Sequence, residues 1–208
     1  MNVDTMADIE RFLQRLHNVK NSDRVYNPYR QPHLLNNLRV YLNGVVSAPG
    51  ERVLLVGEAP GYKGCRITGI PFTSSEQITR SSHPFFLKIR NELQFEKLES
   101  ENSATIVWEF LQTRTVVPLC WNSFPFHPFK VGKPDSNRAP NREELTLGLG
   151  YLQELMDMYK PARIAGIGRK GEAAIRALSP HGEAVYIRHP SHGGKNEFMR
   201  GMERLLPR

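Results

Sequence analysis

At 208 residues, 39% hydrophobic and 24% charged, the chain is long and apolar enough for one domain with a real core, which excludes a disordered protein. No apolar run approaches the roughly 18 residues of a membrane span, and two cysteines, Cys65 and Cys120, are too few for a disulfide framework or a four-thiolate iron–sulfur cluster. Lys and Arg number 28 against 21 Asp and Glu, and this net charge of +7 favours a polyanionic partner, nucleic acid first.

The N-terminus has early acids and no apolar h-region, so no signal peptide is expected, and a cytoplasmic, nucleoid-associated protein is. Ile9, Phe12, Leu13 and Leu16 recur at i, i+3, i+4 and i+7, which predicts an amphipathic helix over Thr5 to Val19. A polar loop follows, then a second helix over Pro32 to Leu42. Val53 to Val56 is a short apolar strand ended by "GEAPG". Residues 84–95 and 103–112 read as helices, and "TRTVVPLCWNSF" as a strand ending near Trp121. A long loop rich in Pro, Asn and Lys runs from Phe124 to Pro140. Asn141 and Glu144 then form a capping-box pattern ahead of a helix whose Leu145, Leu149, Leu152, Met156 and Tyr159 share one face. "ARIAGIG" is a strand, "RKGEAAIRAL" a helix, "EAVYI" a strand, "HPSHGG" a loop and "EFMRGMERLL" a closing helix.

Strands alternating with helices predict an α/β fold, a three-layer α/β/α sandwich on a central, mainly parallel four-stranded sheet. The expected organisation is a single domain over 1–208, with N-terminal helices over 1–50 and a motif-bearing core over 51–208. Ligands of such sheets sit beyond the carboxyl ends of the strands. Three loops compete for that position: "GEAPG", "WNSFPFHP" and "RHPSHGG". Each alone has an ordinary reading, as a tight turn, a strand-end turn residue, or a loop with a capping serine.

Together, "GEAPG" followed by "GIPF", then Asn in "WNSFPFHP" with "NRAPNREE" behind it, then "HPS", resemble the uracil-DNA glycosylase superfamily, and most closely its family-four type. The likeness spans Val53 to Met199, and the order of the motifs is its specific part. It implies a base-excision repair hydrolase that acts on a flipped-out base in DNA, without a cofactor and as a monomer. In that reading Phe72 stacks on the base, Asn122 reads its edge, and Ala59 lies close to it. His189 donates toward O2 of the departing base, and Glu58 handles the water that attacks C1′. Gly61 and Ser191 approach the nucleotide and its phosphate, with Lys63, Arg66, His192 and Lys195 as further DNA contacts.

The sequence departs from the family pattern in places. Family-four members carry four cluster cysteines where this chain has two in all, which implies a cluster-free relative. The best-known glycosylase family has Asp and Tyr where this chain has Ala59 and Gly61, and a leucine wedge after "HPS" where this chain has His192, Gly193 and Gly194. Two other readings compete. One is an inactive nucleic-acid-binding relative. The other is an NADP-dependent oxidoreductase using Gly166, Gly168 and Gly171, a G-x-G-x-x-G between a strand and a helix. A metal site at His181, His189 and His192 lacks ligand spacing, so no metal is expected.

Overall fold

The computed structural model describes residues 3–179 and 184–206. Two helices lead, α1 (Val3–Asn18) and α2 (Pro32–Val46), with the two-residue strand β1 (Val25–Tyr26) between them. The central sheet consists of β2 (Val53–Gly57), β3 (Leu119–Asn122), β5 (Arg163–Ile167) and β6 (Val185–Ile187). All its pairings are parallel and the strand order is β3-β2-β5-β6. Between β2 and β3 run α3 (Cys65–Thr68), α4 (Ser75–Arg80), α5 (Pro84–Ile89) and α6 (Asn102–Leu111). Strand β4 (His127–Pro128) and helix α7 (Arg142–Tyr159) precede β5, and α8 (Arg169–Leu178) and α9 (Lys195–Leu205) complete the chain.

The strand order explains the layers. The chain steps one way from β2 to β3 and the other way from β3 to β5 and β6, so right-handed crossovers place their helices on opposite faces. Accordingly α7 packs on α1, α8 and β3, while α6 packs on α9, which lies against β6. This is the expected three-layer α/β/α sandwich. Every residue of β2 is buried, as befits a parallel strand covered on both faces. Tyr41 of α2 seals the β3 edge: its hydroxyl accepts from the Cys120 N–H at 2.8 Å and donates to the Pro118 carbonyl at 3.3 Å. A sheet edge is thereby satisfied without another strand.

Three local expectations change. The helix expected over 84–95 stops at Ile89 and tightens into a 3₁₀ turn at Arg90–Glu92. The reason lies in α2, where the Asn37 amide accepts from the Gln94 N–H at 2.9 Å and donates to the Gln94 carbonyl at 2.8 Å, holding that residue in a non-helical backbone. The loop expected from Phe124 to Pro140 contains β4, which pairs antiparallel with β1 out of the N-terminal polar loop. Helices α3 and α4 are short elements not anticipated between "GEAPG" and residue 84. Asn141 and Glu144 do form the capping box that opens α7.

Candidate active site

The carboxyl ends of β2 and β5 meet where the strand order reverses, the usual binding position in an open parallel sheet. A cavity of about 430 Å³ opens there, lined among others by Glu58, Phe72, Asn122, His189 and Glu101. Two of the lining side chains, Phe72 and Asn122, rest against Gly57, the last residue of β2. A Cβ on Gly57 would lie 2.6 Å from Phe72 Cζ and 2.7 Å from Asn122 Oδ1. The ring and the carboxamide therefore converge over one bare α-carbon. Glycine is needed here for close approach, not for its backbone angles.

Phe72 is held in an unusual way. Its φ is 56°, a left-handed value that a bulky residue adopts only under external constraint. Trp108 supplies part of that constraint, its indole N–H donating to the Phe72 carbonyl at 3.1 Å. Asn122 ends β3 directly beside Gly57 in register. Its side chain is buried, yet no protein hydrogen bond reaches its carboxamide among the described residues. An amide left free of protein partners on a cavity wall can offer one acceptor and two donors to a ligand.

His189 is fixed as a neutral donor. Its Nδ1 accepts from the Ser191 backbone N–H at 3.2 Å and lies 2.8 Å from Ser191 Oγ. A backbone N–H only donates, so Nδ1 carries no proton and the neutral ring bears its hydrogen on Nε2. Burial, helped by the positive charge of Arg188 and of His192, lowers this histidine to about 4. Glu58 is half-buried, and burial raises its carboxyl above the usual range while Lys170 on α8 pulls it back.

Backbone hydrogen bonds stitch the surrounding loops together. Ser123 N–H donates to the Gly57 carbonyl at 2.9 Å, and the Glu58 carbonyl accepts from Phe124 N–H at 3.0 Å and from Ser123 Oγ at 2.8 Å. Asn137 Oδ1 accepts from Tyr62 N–H at 3.1 Å, and His127 Nδ1 donates to the Pro60 carbonyl at 2.7 Å. The "NRAPNREE" segment is a clamp. Arg138 holds Glu144 through both guanidinium nitrogens, at 2.7 and 2.6 Å, while reaching the Phe129 and Arg24 carbonyls.

With this geometry in hand, comparison with known families is decisive: the profile of the Uracil DNA glycosylase superfamily matches residues 44–205. The chain belongs to the uracil-DNA glycosylase superfamily. Its fold is similar to that of the SMUG2 protein of Pedobacter heparinus, at a TM-score of 0.70 and 14% identity over 95% of this chain and 97% of that one. No curated protein matched the sequence.

For a member of the uracil-DNA glycosylase superfamily, the sequence-derived residues divide into two groups. The cavity gathers Glu58, Ala59, Gly61, Phe72, Asn122, His189, Ser191 and His192. Lys63, Arg66 and Lys195 do not line it. The Lys63 ammonium sits over the Tyr62 ring at 5.7 Å. Arg66 pairs with Asp135 at 2.7 Å and with the Pro134 carbonyl at 2.8 Å, fastening α3 to the 124–140 segment. Lys195 pairs with Glu109 at 2.7 Å, joining α9 to α6. The three glycines of the nucleotide-like fingerprint have an architectural explanation. A Cβ on Gly171 would lie 1.9 Å from the Val56 carbonyl oxygen, and one on Gly166 would lie 2.2 Å from Glu172 N, so these glycines let α8 press onto β2 and β5. Gly168, at φ 86°, turns the chain beside His189. His181 lies outside the described residues, and among the described residues no three metal-ligating side chains come together. Among those residues, no helix is long and apolar enough to cross a membrane.

Sequence reading missed Gly57, Trp108, Lys170 and Glu101. A glycine closing an apolar strand was the available signal for the first. The others carry no motif, because their roles arise from chain crossings.

Proposed function

We propose that this chain is a monofunctional DNA glycosylase that hydrolyses the N-glycosidic bond of an extruded uracil or another deaminated base. The observation that carries the reading is the convergence of the Phe72 ring and the unpartnered Asn122 carboxamide over Gly57, in one cavity with Glu58 and a neutral His189.

The chemistry follows from those parts. A base inside a duplex is inaccessible, so it is flipped into the cavity. Phe72 offers a flat apolar face for stacking. The Asn122 carbonyl accepts from N3–H of uracil and its amide donates to O4, a pattern that faces the amino group of cytosine badly. A site built on such bonds discriminates strongly. As the C1′–N bond breaks, its electron pair passes to the base, and negative charge grows on O2. The Nε2–H of His189 donates there without a change of charge on the ring. Glu58 orients a water toward C1′ and takes its proton. Ala59 and Gly61 leave room for the nucleotide. Ser191 and His192, which line the cavity, supply phosphate contacts on a chain of net charge +7. The protein acts as a monomer in the cytoplasm, near the nucleoid.

The test is single-turnover excision on a labelled oligonucleotide carrying one uracil, opposite guanine, opposite adenine, and in a single strand. Alkali-labile breaks made by the wild type and lost in Glu58→Gln support the reading. If uracil, hypoxanthine and xanthine all remain uncleaved while the DNA is still bound, the chain is a binding-only relative.

A further inference from the structure

The cavity holds a second carboxyl that the mechanism above leaves idle. Glu101 stands at the start of α6, and its backbone carbonyl accepts from Thr105 N–H as the helix begins. Its side chain turns the other way, into the cavity. Two glycines make room for it. A Cβ on Gly61 would lie 2.9 Å from Glu101 Oε1, and a Cβ on Gly64 only 2.1 Å from Oε2. The carboxyl thus fills the space that side chains at both positions would take. Among the described residues, no hydrogen bond or ion pair reaches the carboxyl, and burial is what acts on it. An unpaired, desolvated carboxyl is a standing cost to stability, so its presence in a cleft points to function.

We propose that Glu101 is a further catalytic residue of this pocket, a general acid whose protonated carboxyl hydrogen-bonds the bound base and protonates it as it departs. This rests on the glycosylase reading. An ionised Glu101 is poorly suited to a site in which an anionic base forms near the Glu58 carboxylate, whereas the neutral acid attracts that anion. Burial raises Glu101 to about 7, which suits proton transfer near neutrality. The groups around it do not supply the same titration. Cys65 on α3 is pushed well above the usual thiol range by burial. His189 is held neutral, and Arg138 is tied to Glu144. Glu58 and His192 are the remaining titratable groups at the cavity. The step balances. The C1′–N bond breaks with its electron pair going to the base, and the Glu101 proton goes to the base. Water oxygen bonds to C1′, the water proton goes to Glu58, and both carboxyls then re-equilibrate with solvent.

The experiment is single-turnover uracil excision from pH 5 to pH 9 for the wild type, Glu101→Gln and Glu101→Ala, with circular dichroism confirming each fold. The wild-type rate is expected to fall as pH rises through about 7, as Glu101 loses its proton. Glu101→Gln keeps a hydrogen-bond donor but has no proton to give, so its rate at pH 6 falls below the wild type and the high-pH fall disappears. Glu101→Ala lacks any donor, and its rate at pH 6 drops at least 10-fold with little change in DNA affinity. An active wild type whose high-pH fall persists in Glu101→Gln, or a Glu101→Ala at the full rate at pH 6, overturns the role of Glu101 alone. A wild type that releases no base at any pH overturns the glycosylase reading and this role with it.

Discussion

Replacing Gly57 with alanine tests the meeting of Phe72 and Asn122 with a single methyl group. The new Cβ would lie 2.6 and 2.8 Å from Cζ and Cε2 of Phe72 and 2.7 Å from Asn122 Oδ1. Carbon atoms rest about 3.5–4 Å apart, so ring and carboxamide must each withdraw by about 1 Å. A displacement of that size at a reacting centre costs on the order of 100-fold in rate. Two groups move at once, so the single-turnover rate is expected to fall at least about 100-fold. The stability loss is modest, because over-packing by one methyl costs about 1–3 kcal/mol. For a domain of this size that lowers Tm by about 2–12 °C, leaving a folded protein to assay. Gly150 in α7 is the control: nothing lies within 4 Å of its Cβ position, so Gly150→Ala keeps full activity and gains up to about 1 kcal/mol of helix propensity. The assay is base release under single-turnover conditions alongside a thermal melt. A folded Gly57→Ala that excises at the wild-type rate refutes the claim that Phe72 and Asn122 must meet over a bare α-carbon.

Three further outcomes are expected. Glu144→Gln strips the charge from the largely buried Arg138 pair and loosens the segment over the cavity, costing on the order of 3 kcal/mol in a denaturant titration. Burial alone pushes Glu144 up, but bonds from Arg138 and the Asn141 N–H prevail and hold it below the usual range. The wild type therefore loses this contribution as pH falls below the ordinary carboxylate value, and Glu144→Gln does not. Glu101 behaves in the opposite sense. Its folded-state value near 7 means that stability is full below its ordinary 4.5 and declines as pH rises toward 7, by at most about 3 kcal/mol, so thermal melts of Glu101→Gln should lack that slope. His189→Ala removes the neutral donor and lowers the excision rate on the order of 100-fold or more, with DNA affinity nearly unchanged. Because that ring takes up a proton only near pH 4, the rate of Glu101→Gln, free of the Glu101 titration, should show no step at the ordinary histidine value of 6.5.

The layers were legible because alternating strand and helix patterns allow few arrangements, and the parallel sheet followed. The capping box at Asn141 and Glu144 was legible because it is local. The pairing of β1 with β4 was not, since two-residue strands leave no periodicity and their partner lies about a hundred residues away. Asn37 shortened the helix expected over 84–95 through a contact no local pattern encodes. In the candidate site, motif order pointed to Glu58, Phe72, Asn122 and His189, which the fold brings to one cavity. The berth of Glu101 depends on where α6 begins relative to Gly61 and Gly64, which only the folded chain determines. Charge revealed Lys63, Arg66 and Lys195 as basic, but not that Arg66 and Lys195 hold elements together.

The stitched loops bear on how this pocket is lost. Gly57, Glu58 and Pro60 receive hydrogen bonds from residues 123, 124 and 127, and Tyr62 donates to residue 137, so the cavity walls are contributed by segments some sixty to eighty positions apart. No short fragment of the chain contains both partners of any of these bonds, and no wall stands without its partner. Catalytic competence is then an all-or-none property of the whole domain: excision activity and far-ultraviolet ellipticity should disappear at the same denaturant concentration, and two complementary halves should be inert until they reassociate.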